Sequence, residues 1–373
     1  MSRQPHVHRA SVIAMRLIDI ADTIDLTAAE SLWARQASTA AARSRLMTAP
    51  PKAMTFGVPP VELTLGAIEV EISGQKLQAT ALARLYEFGV AAFSISVPAN
   101  DLAWTDFSAR VNAVDAALGI ASGTDVWNRL VVQITGIMRP ALLRPSQAAL
   151  HEDYLLGLVH SLDGVTSTAT LHDDLDLVPL LAGETRPLSE QARQELLRQR
   201  FSYYADDLAV LTWDRAFIYE PRDDSDVVDV LEVANAQLLE LRYYDELLDA
   251  ELPRMYDLVE ATHHVANPLA ARRYADLARH LYTLVAEVTE ITEKVDNALQ
   301  VTEDVYLARV YAAALELFRV PHVSKAVDRK LSIIRDSYAA LYEEASGKRG
   351  ELLELAIIVL IVLEIVIAVI RHV

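Results

Sequence analysis

Histidine and carboxylate side chains come together at two places in the sequence, His151-Glu152-Asp153 and His172-Asp173-Asp174 with Asp176. Imidazole and carboxylate are common ligands of divalent ions, so either group could hold a metal if the backbone turned its side chains to one point. Neither has the helical HExxH spacing or another recognised ligand spacing, and both read as solvated loop charges. Asp223, Asp224, Asp226 and Asp229 are dense enough for a hard cation. No Gly follows at the calcium-loop position and no Glu closes the loop in register, so helix capping explains them. His263-His264 reads as an inter-helix loop. Ser346-Gly347-Lys348 lacks the earlier Gly and the leading strand of a phosphate loop. Neither a Gly-x-Ser-x-Gly elbow nor a dinucleotide fingerprint occurs. The pairs Tyr203-Tyr204 and Tyr243-Tyr244 read as packing residues. No catalytic residue, cofactor or metal ligand is therefore expected.

The elements that would position these residues follow from hydrophobic period. Candidate strands are Ser11–Ile20, Val61–Ile72 and Gly89–Val97, with Leu77–Phe88 open to a strand reading that ends in a hairpin at Gly89. Asp207–Trp213 and Ala216–Glu220 read as two further strands joined at Asp214-Arg215. Helices are expected over Asp101–Leu118 and Glu190–Tyr204. Strands mixed with helices without regular alternation predict an α+β domain over residues 1–221, with a flexible connection near 35–60. The N-terminus has no apolar stretch of the signal-peptide kind, and Ser11–Ile20 alternates as a strand does.

A helical stalk is expected over 222–350. Val227–Leu252 reads as a helix, with Pro253 at its end or at a kink. Over 269–318 the apolar positions Tyr274, Leu277, Leu281, Leu284, Val288, Ile291 and Val295 step by three and four, which is a heptad seam. After Pro321 a second pattern runs Val327, Leu331, Ile334, Tyr338, Leu341 and Ala345. Two such helices joined by a short turn suggest an antiparallel coiled-coil hairpin, closed within one chain or between chains.

The segment 351–373 reads as a single C-terminal transmembrane anchor. Leu355–Ile370 holds thirteen Leu, Ile or Val, two Ala and one Glu. Thirteen such residues favour insertion by about 4 to 8 kcal/mol, against roughly 2.5 to 3.5 kcal/mol for one acid. Glu364, with Ala368 one turn later, is the candidate contact for helix assembly in the bilayer. The expected placement is tail-anchored and single-pass in the cytoplasmic (inner) membrane, with lipid contact through Leu352–Ile370 and the large N-terminal part in the cytosol.

The run Leu353-Glu354-Leu355-Ala356-Ile357-Ile358-Val359-Leu360-Ile361-Val362-Leu363-Glu364-Ile365 resembles the closing segment of the "required for meiotic nuclear division" (Rmd/Sad1-interacting factor) protein family. Tyr306, Arg309, Lys330-Leu331 and Tyr338 have a similar arrangement to its preceding helices, and Tyr86-Glu87-Phe88-Gly89 with Phe93 is similar to its aromatic-Gly strand. The resemblance implies an α+β domain, a coiled-coil stalk, one C-terminal transmembrane helix, self-association and a tethering role in membrane-associated translation.

The expected function is thus a non-catalytic, membrane-anchored oligomeric scaffold whose protein partner is unknown. The alternative is an enzyme or ligand sensor with a site in the N-terminal domain built from His151, Asp153 or His172. A net charge of −18 argues against direct nucleic-acid binding. The chain contains no Cys, which excludes disulfides and thiol chemistry.

Overall fold

The computed structural model describes residues 5–36, 42–43, 58–146, 150–163, 171, 175–184, 186–222, 226–263, 276, 279, 282–283, 285–286, 288–289, 305–337 and 339. Its contacts divide into two compact units, Met1–Tyr243 with Lys294–Pro321, and Tyr244–Glu293 with His322–Val373.

The first unit is built on a large mixed sheet. Its central strand β1 (His6–Asp19) pairs antiparallel with β6 (Val90–Pro98) on one side and β9 (His151–Leu162) on the other. Beyond β6 lie β5 (Gln75–Leu85), β4 (Val61–Ile72) and the two-residue β3 (Ala42–Arg43). Beyond β9 lie β12 (Arg215–Tyr219), which runs parallel to it, β11 (Leu208–Leu211) and β10 (Gln199–Phe201). The short β7 (Leu102–Ala103) pairs with the start of β1, and β2 (Ala21–Ile24) pairs with β8 (Leu142–Pro145) in a separate ribbon.

Alternation sorts the strand residues onto two faces. Val12 and Ala14 of β1, Phe93 and Ile95 of β6, Ala81 and Ala83 of β5, and Phe217 of β12 enter one apolar core. Helices α1 (Leu26–Gln36), α2 (Trp104–Leu118), α3 (Val126–Met138) and α4 (Val178–Ala182) bury Trp33, Phe107, Trp127 and Leu180 in it. A further short helix, α5 (Glu190–Leu196), precedes β10.

The opposite face is crossed by α6 (Val227–His263). Arg84, Ala92, Leu17 and Glu152 form one cross-strand row from β5 to β9. Arg84 is paired with Asp229 and Glu232, near the start of α6, while Glu152 is paired with Arg242, ten residues after Glu232. Ten helical residues rise about 15 Å. Three inter-strand spacings make about 14 Å. The helix therefore runs across the strands, and Val230, Leu231 and Ala234 are buried along it. On the same side, α7 (Val305–Leu317) buries Leu307, Val310 and Ala314, and Phe318 meets Tyr154 edge-on with ring centres 5.3 Å apart.

One glycine is dictated by a close approach. Gly89 turns β5 into β6 with φ 100°, and a Cβ there would stand 1.6 Å from the Ala21 carbonyl oxygen. No L side chain fits either requirement.

The second unit, as far as it is described, is helical. It takes the continuation of α6, isolated helical residues between 276 and 289, and a helix over 322–337. Lys330 Nζ donates to the Asp245 carbonyl at 3.1 Å and pairs with Asp245 Oδ1 and Asp249 Oδ1 at 2.7 and 2.6 Å. Val327, Leu331 and Ile334 are buried. Of the seam positions, Val288 is helical and covered by its own chain at 1 % exposure. Tyr274, Leu277, Leu281, Leu284, Ile291 and Val295 lie outside the described residues.

Two expectations are corrected. Among the described residues no helix is long and apolar enough to cross a membrane. The fold is a mixed α+β structure with a large sheet, which replaces the expected single-pass, tail-anchored placement in the cytoplasmic membrane; Leu352–Ile370, the expected bilayer contact, lies outside the described residues. Leu355–Ile370 has only sixteen residues with an acid among them. That is short of the roughly twenty that a span needs. Glu364 and Ala368 lie outside the described residues. The second correction concerns Glu190–Tyr204, which is helical only to Leu196 before the chain enters β10.

Candidate functional site

The most chemically competent constellation lies where β1 begins. His6 and His8 stand two residues apart on a strand, so their rings point the same way, with centres 5.0 Å apart. The register between β1 and β9 shifts on either side of Arg9, which marks an irregularity that re-aims side chains at this end. The loop after β6 is tied to this strand: Ala99 N donates to the Ala10 carbonyl, Ala10 N to Asn100 Oδ1, and Asp101 N to the His8 carbonyl. These bonds bring Asp101, in the left-handed region with φ 55°, beside His8. Asp163, just after β9, donates its N–H to the His6 carbonyl at 2.9 Å.

The carboxylate of Asp163 lies 2.7 Å from His8 Nε2, and Asp101 Oδ1 lies 3.7 Å from His8 Nδ1. The hydrogen bond to Asp163 raises the His8 pKa, outweighing the opposing effect of burial. One ligand atom from each of His6, His8 and Asp101 fits within a sphere of mutual distances up to 4.8 Å. His6 Nδ1 is buried and has no hydrogen-bond partner among the described residues.

A second charged group lies beneath α6. Arg84 is paired with Glu62 at 3.0 Å, with Asp229 and, at 3.5 Å, with Glu232, while Tyr86 Oη donates to Glu232 Oε1 at 2.5 Å. Burial lifts the Glu232 carboxyl above the usual range despite the guanidinium, and lifts the Tyr86 phenol well above its own. Burial alone would lower the Arg84 pKa, but the Glu232 and Asp229 carboxylates outweigh it and hold the guanidinium charged. Further along the same face, burial pushes Asp19 from 3.8 to about 6, and Tyr243 to about 12 with Asp22, Asp19 and Glu240 adding to it.

The sequence-expected groups behave differently. His151, Glu152 and Asp153 open the central strand β9, so alternation drives the two carboxylates to opposite faces. Glu152 pairs with Arg242 of α6. Asp153 takes both Arg16 bonds, at 2.6 and 2.5 Å, on the face where Arg16 also lies over the Trp127 ring. They cannot converge on one ion. His172, Asp173, Asp174, Asp223 and Asp224 lie outside the described residues. Asp176 receives Arg193 at 3.2 Å, and Asp229 serves Arg84. Tyr204 contacts Tyr203 edge-on and lies beneath Arg222. The His6–His8 pair was not singled out from the sequence, although an x-separated His pair on a strand carries its own signal: both imidazoles share a face.

With this geometry in place, comparison with known proteins gives one family. The profile described as "Uncharacterized protein MJ0711, N-terminal domain" matches residues 9–226, more than half of the chain. The chain belongs to this family. The matched stretch runs from Arg9 in β1 through β12 and contains Asp101, Asp163, Glu62 and Arg84, but not His6, His8 or α6 with its Asp229 and Glu232. "Uncharacterized protein MJ0711" of Methanocaldococcus jannaschii is 28 % identical over 193 residues, covering 52 % of this chain and 58 % of that protein. The chain therefore matches little more than half the length of this MJ0711 relative. No solved structure matches. Both matches fall on the MJ0711 family, which replaces the resemblance to the "required for meiotic nuclear division" family; that resemblance rested on an apolar C-terminal run, and such runs recur in unrelated chains.

Proposed function

We propose that the protein is a non-catalytic oligomeric scaffold: the sheet unit is a rigid platform and the helical unit makes the contacts to a second copy. The observation that carries this reading is the 37-residue α6, whose first half is built into the platform while its continuation belongs to the helical unit. The Lys330 clasp on Asp245 and Asp249 supports a defined helical arrangement there. Tyr256 and Tyr282 of that unit are 55 % and 65 % exposed. Large aromatic side chains at the surface are favoured anchors of protein contacts. The acidic balance suits a protein partner and opposes a polyanionic one.

The test is the mass of the full chain by light scattering across a dilution series. A discrete multimer is expected, and Tyr256→Glu with Tyr282→Glu should shift it to monomer with unchanged circular dichroism. A wild-type chain that stays monomeric throughout the series overturns the reading.

A further inference from the structure

We propose that His6, His8 and Asp101 bind a divalent transition-metal ion of the zinc class, with Asp163 as the outer carboxylate that orients His8. This inference is independent of the scaffold reading. Ligand atoms around such an ion lie about 2.0–2.2 Å from it, hence about 3–4 Å from one another. His8 Nδ1 and Asp101 Oδ1 are already 3.7 Å apart, and the set of three closes within 4.8 Å. Small rotations of exposed side chains complete the approach.

Two features point to an ion rather than to a chance meeting of polar groups. A metal-bound histidine almost always gives its other ring nitrogen to a carboxylate, which fixes the tautomer and aims the remaining lone pair. His8 has this arrangement: Nε2 is held by Asp163 at 2.7 Å, leaving Nδ1 directed at Asp101. The second feature is His6. Its Nδ1 is buried without a hydrogen-bond partner among the described residues. Buried ring nitrogens are nearly always satisfied. An ion bound at that nitrogen would supply what is missing. Two imidazoles with one carboxylate select zinc and its borderline neighbours over calcium or magnesium, which prefer all-oxygen sets. Asp101 and His8 are 78 % and 45 % exposed, so the remaining coordination positions face solvent and are open to water. The ligands come from the start of β1 and the loop before α2, so the ion ties the first strand to that loop.

The competing account is an imidazolium at His8 bridging Asp101 and Asp163. It needs no contribution from His6. The experiment uses untagged full-length protein, stripped with chelator and then titrated with Zn2+ by calorimetry and with Co2+ by visible absorption. One equivalent per chain is expected, with a cobalt spectrum of nitrogen and oxygen ligands. His6→Ala and His8→Ala should each abolish it, and Asp163→Asn should weaken it about 10- to 100-fold. His322→Ala, at an exposed position outside the cluster, should bind as wild type does. Thermal midpoints in chelator show that each variant is folded; should a histidine variant fail, the Asp163→Asn shift alone decides. Absence of a stoichiometric site, or equal binding by wild type and His6→Ala, leaves only the bridging imidazolium and overturns the proposal.

Discussion

Arg215 is buried and Arg84 is mostly covered, at 8 % and 19 % side-chain exposure, on opposite faces of one sheet, and their surroundings differ in charge. Arg215 reaches across the first face to Asp115 Oδ2 at 2.6 Å, Asn112 Oδ1 at 2.7 Å and the Leu180 carbonyl at 3.2 Å, with Asp214 at 3.5 Å. Gly183, with φ 63°, leaves room for the guanidinium, since a Cβ there would lie 2.4 Å from Nη2. Both acids of this group keep substantial contact with water, at 42 % and 33 % side-chain exposure. Arg84 faces three carboxylates, of which Asp229 and Glu232 are at 14 % and 6 %. Arg215 is a staple between a strand and α2. Arg84 neutralises acids that have no other escape from burial. A buried cation is replaceable when its partners can turn to water and indispensable when they cannot.

The largest effect should therefore come from Arg84→Met. Removing the cation leaves Asp229 and Glu232 uncompensated, at a cost of about 3–5 kcal/mol. Arg215→Met should cost less, about 2 kcal/mol, mainly through the stranded Leu180 carbonyl and Asn112. Urea unfolding of both variants at neutral pH measures the difference. Equal costs, or a larger one for Arg215→Met, would break the comparison.

The sheet was largely legible in the sequence, and the charge balance was not. Alternation exposes β1, β4, β6 and β12 because each has at least one buried face. Strand β9 was hidden by its opening His151-Glu152-Asp153, whose charges resemble a loop. Those charges are tolerated because Arg242 and Arg16, from distant parts of the chain, meet them on opposite faces. Helix α6 likewise continues through Pro253, where a local rule ends it. The metal candidate is invisible to local pattern because its ligands are separated by up to 95 positions of chain and only strand pairing joins them. Ion-pair partners and ligand sets depend on long-range register, which local period does not encode.

Asp19 sharpens the contrast, since it shares the α6 face with Arg84 but, among the described residues, pairs with no arginine. It is 4 % exposed, and its Oδ2 has no hydrogen-bond partner among the described residues. Its pKa is raised in the fold from 3.8 to about 6, so the fold favours the protonated form. That contribution is complete below 3.8 and is lost as pH rises through about 6. The difference corresponds to about 3 kcal/mol. Asp19→Asn should remove this fall from a series of urea midpoints taken across the window, and should be more stable than wild type at neutral pH. A variant with the same pH profile as wild type would show that the carboxyl is solvated in the fold.

The smallest effect is expected at Glu232, where two influences oppose each other. Burial raises its pKa, Arg84 lowers it, and the net direction is upward. Glu232 thus stabilises the fold most fully below its ordinary value of 4.5 and loses that contribution as pH rises through the higher folded value. The sign matches Asp19, but here a cation 3.5 Å away and the Tyr86 hydroxyl oppose the loss. Glu232→Gln keeps an oxygen for Tyr86 and removes one of the three negative charges around Arg84. Its stability at neutral pH should stay within about 1 kcal/mol of wild type, because the lost ion pair and the lost desolvation offset each other. Combining it with Arg84→Met provides the decisive measurement. If Glu232 is the acid that Arg84 chiefly protects, the double variant should recover much of the stability that Arg84→Met loses, a coupling seen as non-additivity in a double-mutant cycle. Additive costs would assign the protection to Asp229 and Glu62, and would leave Glu232 held by Tyr86 alone.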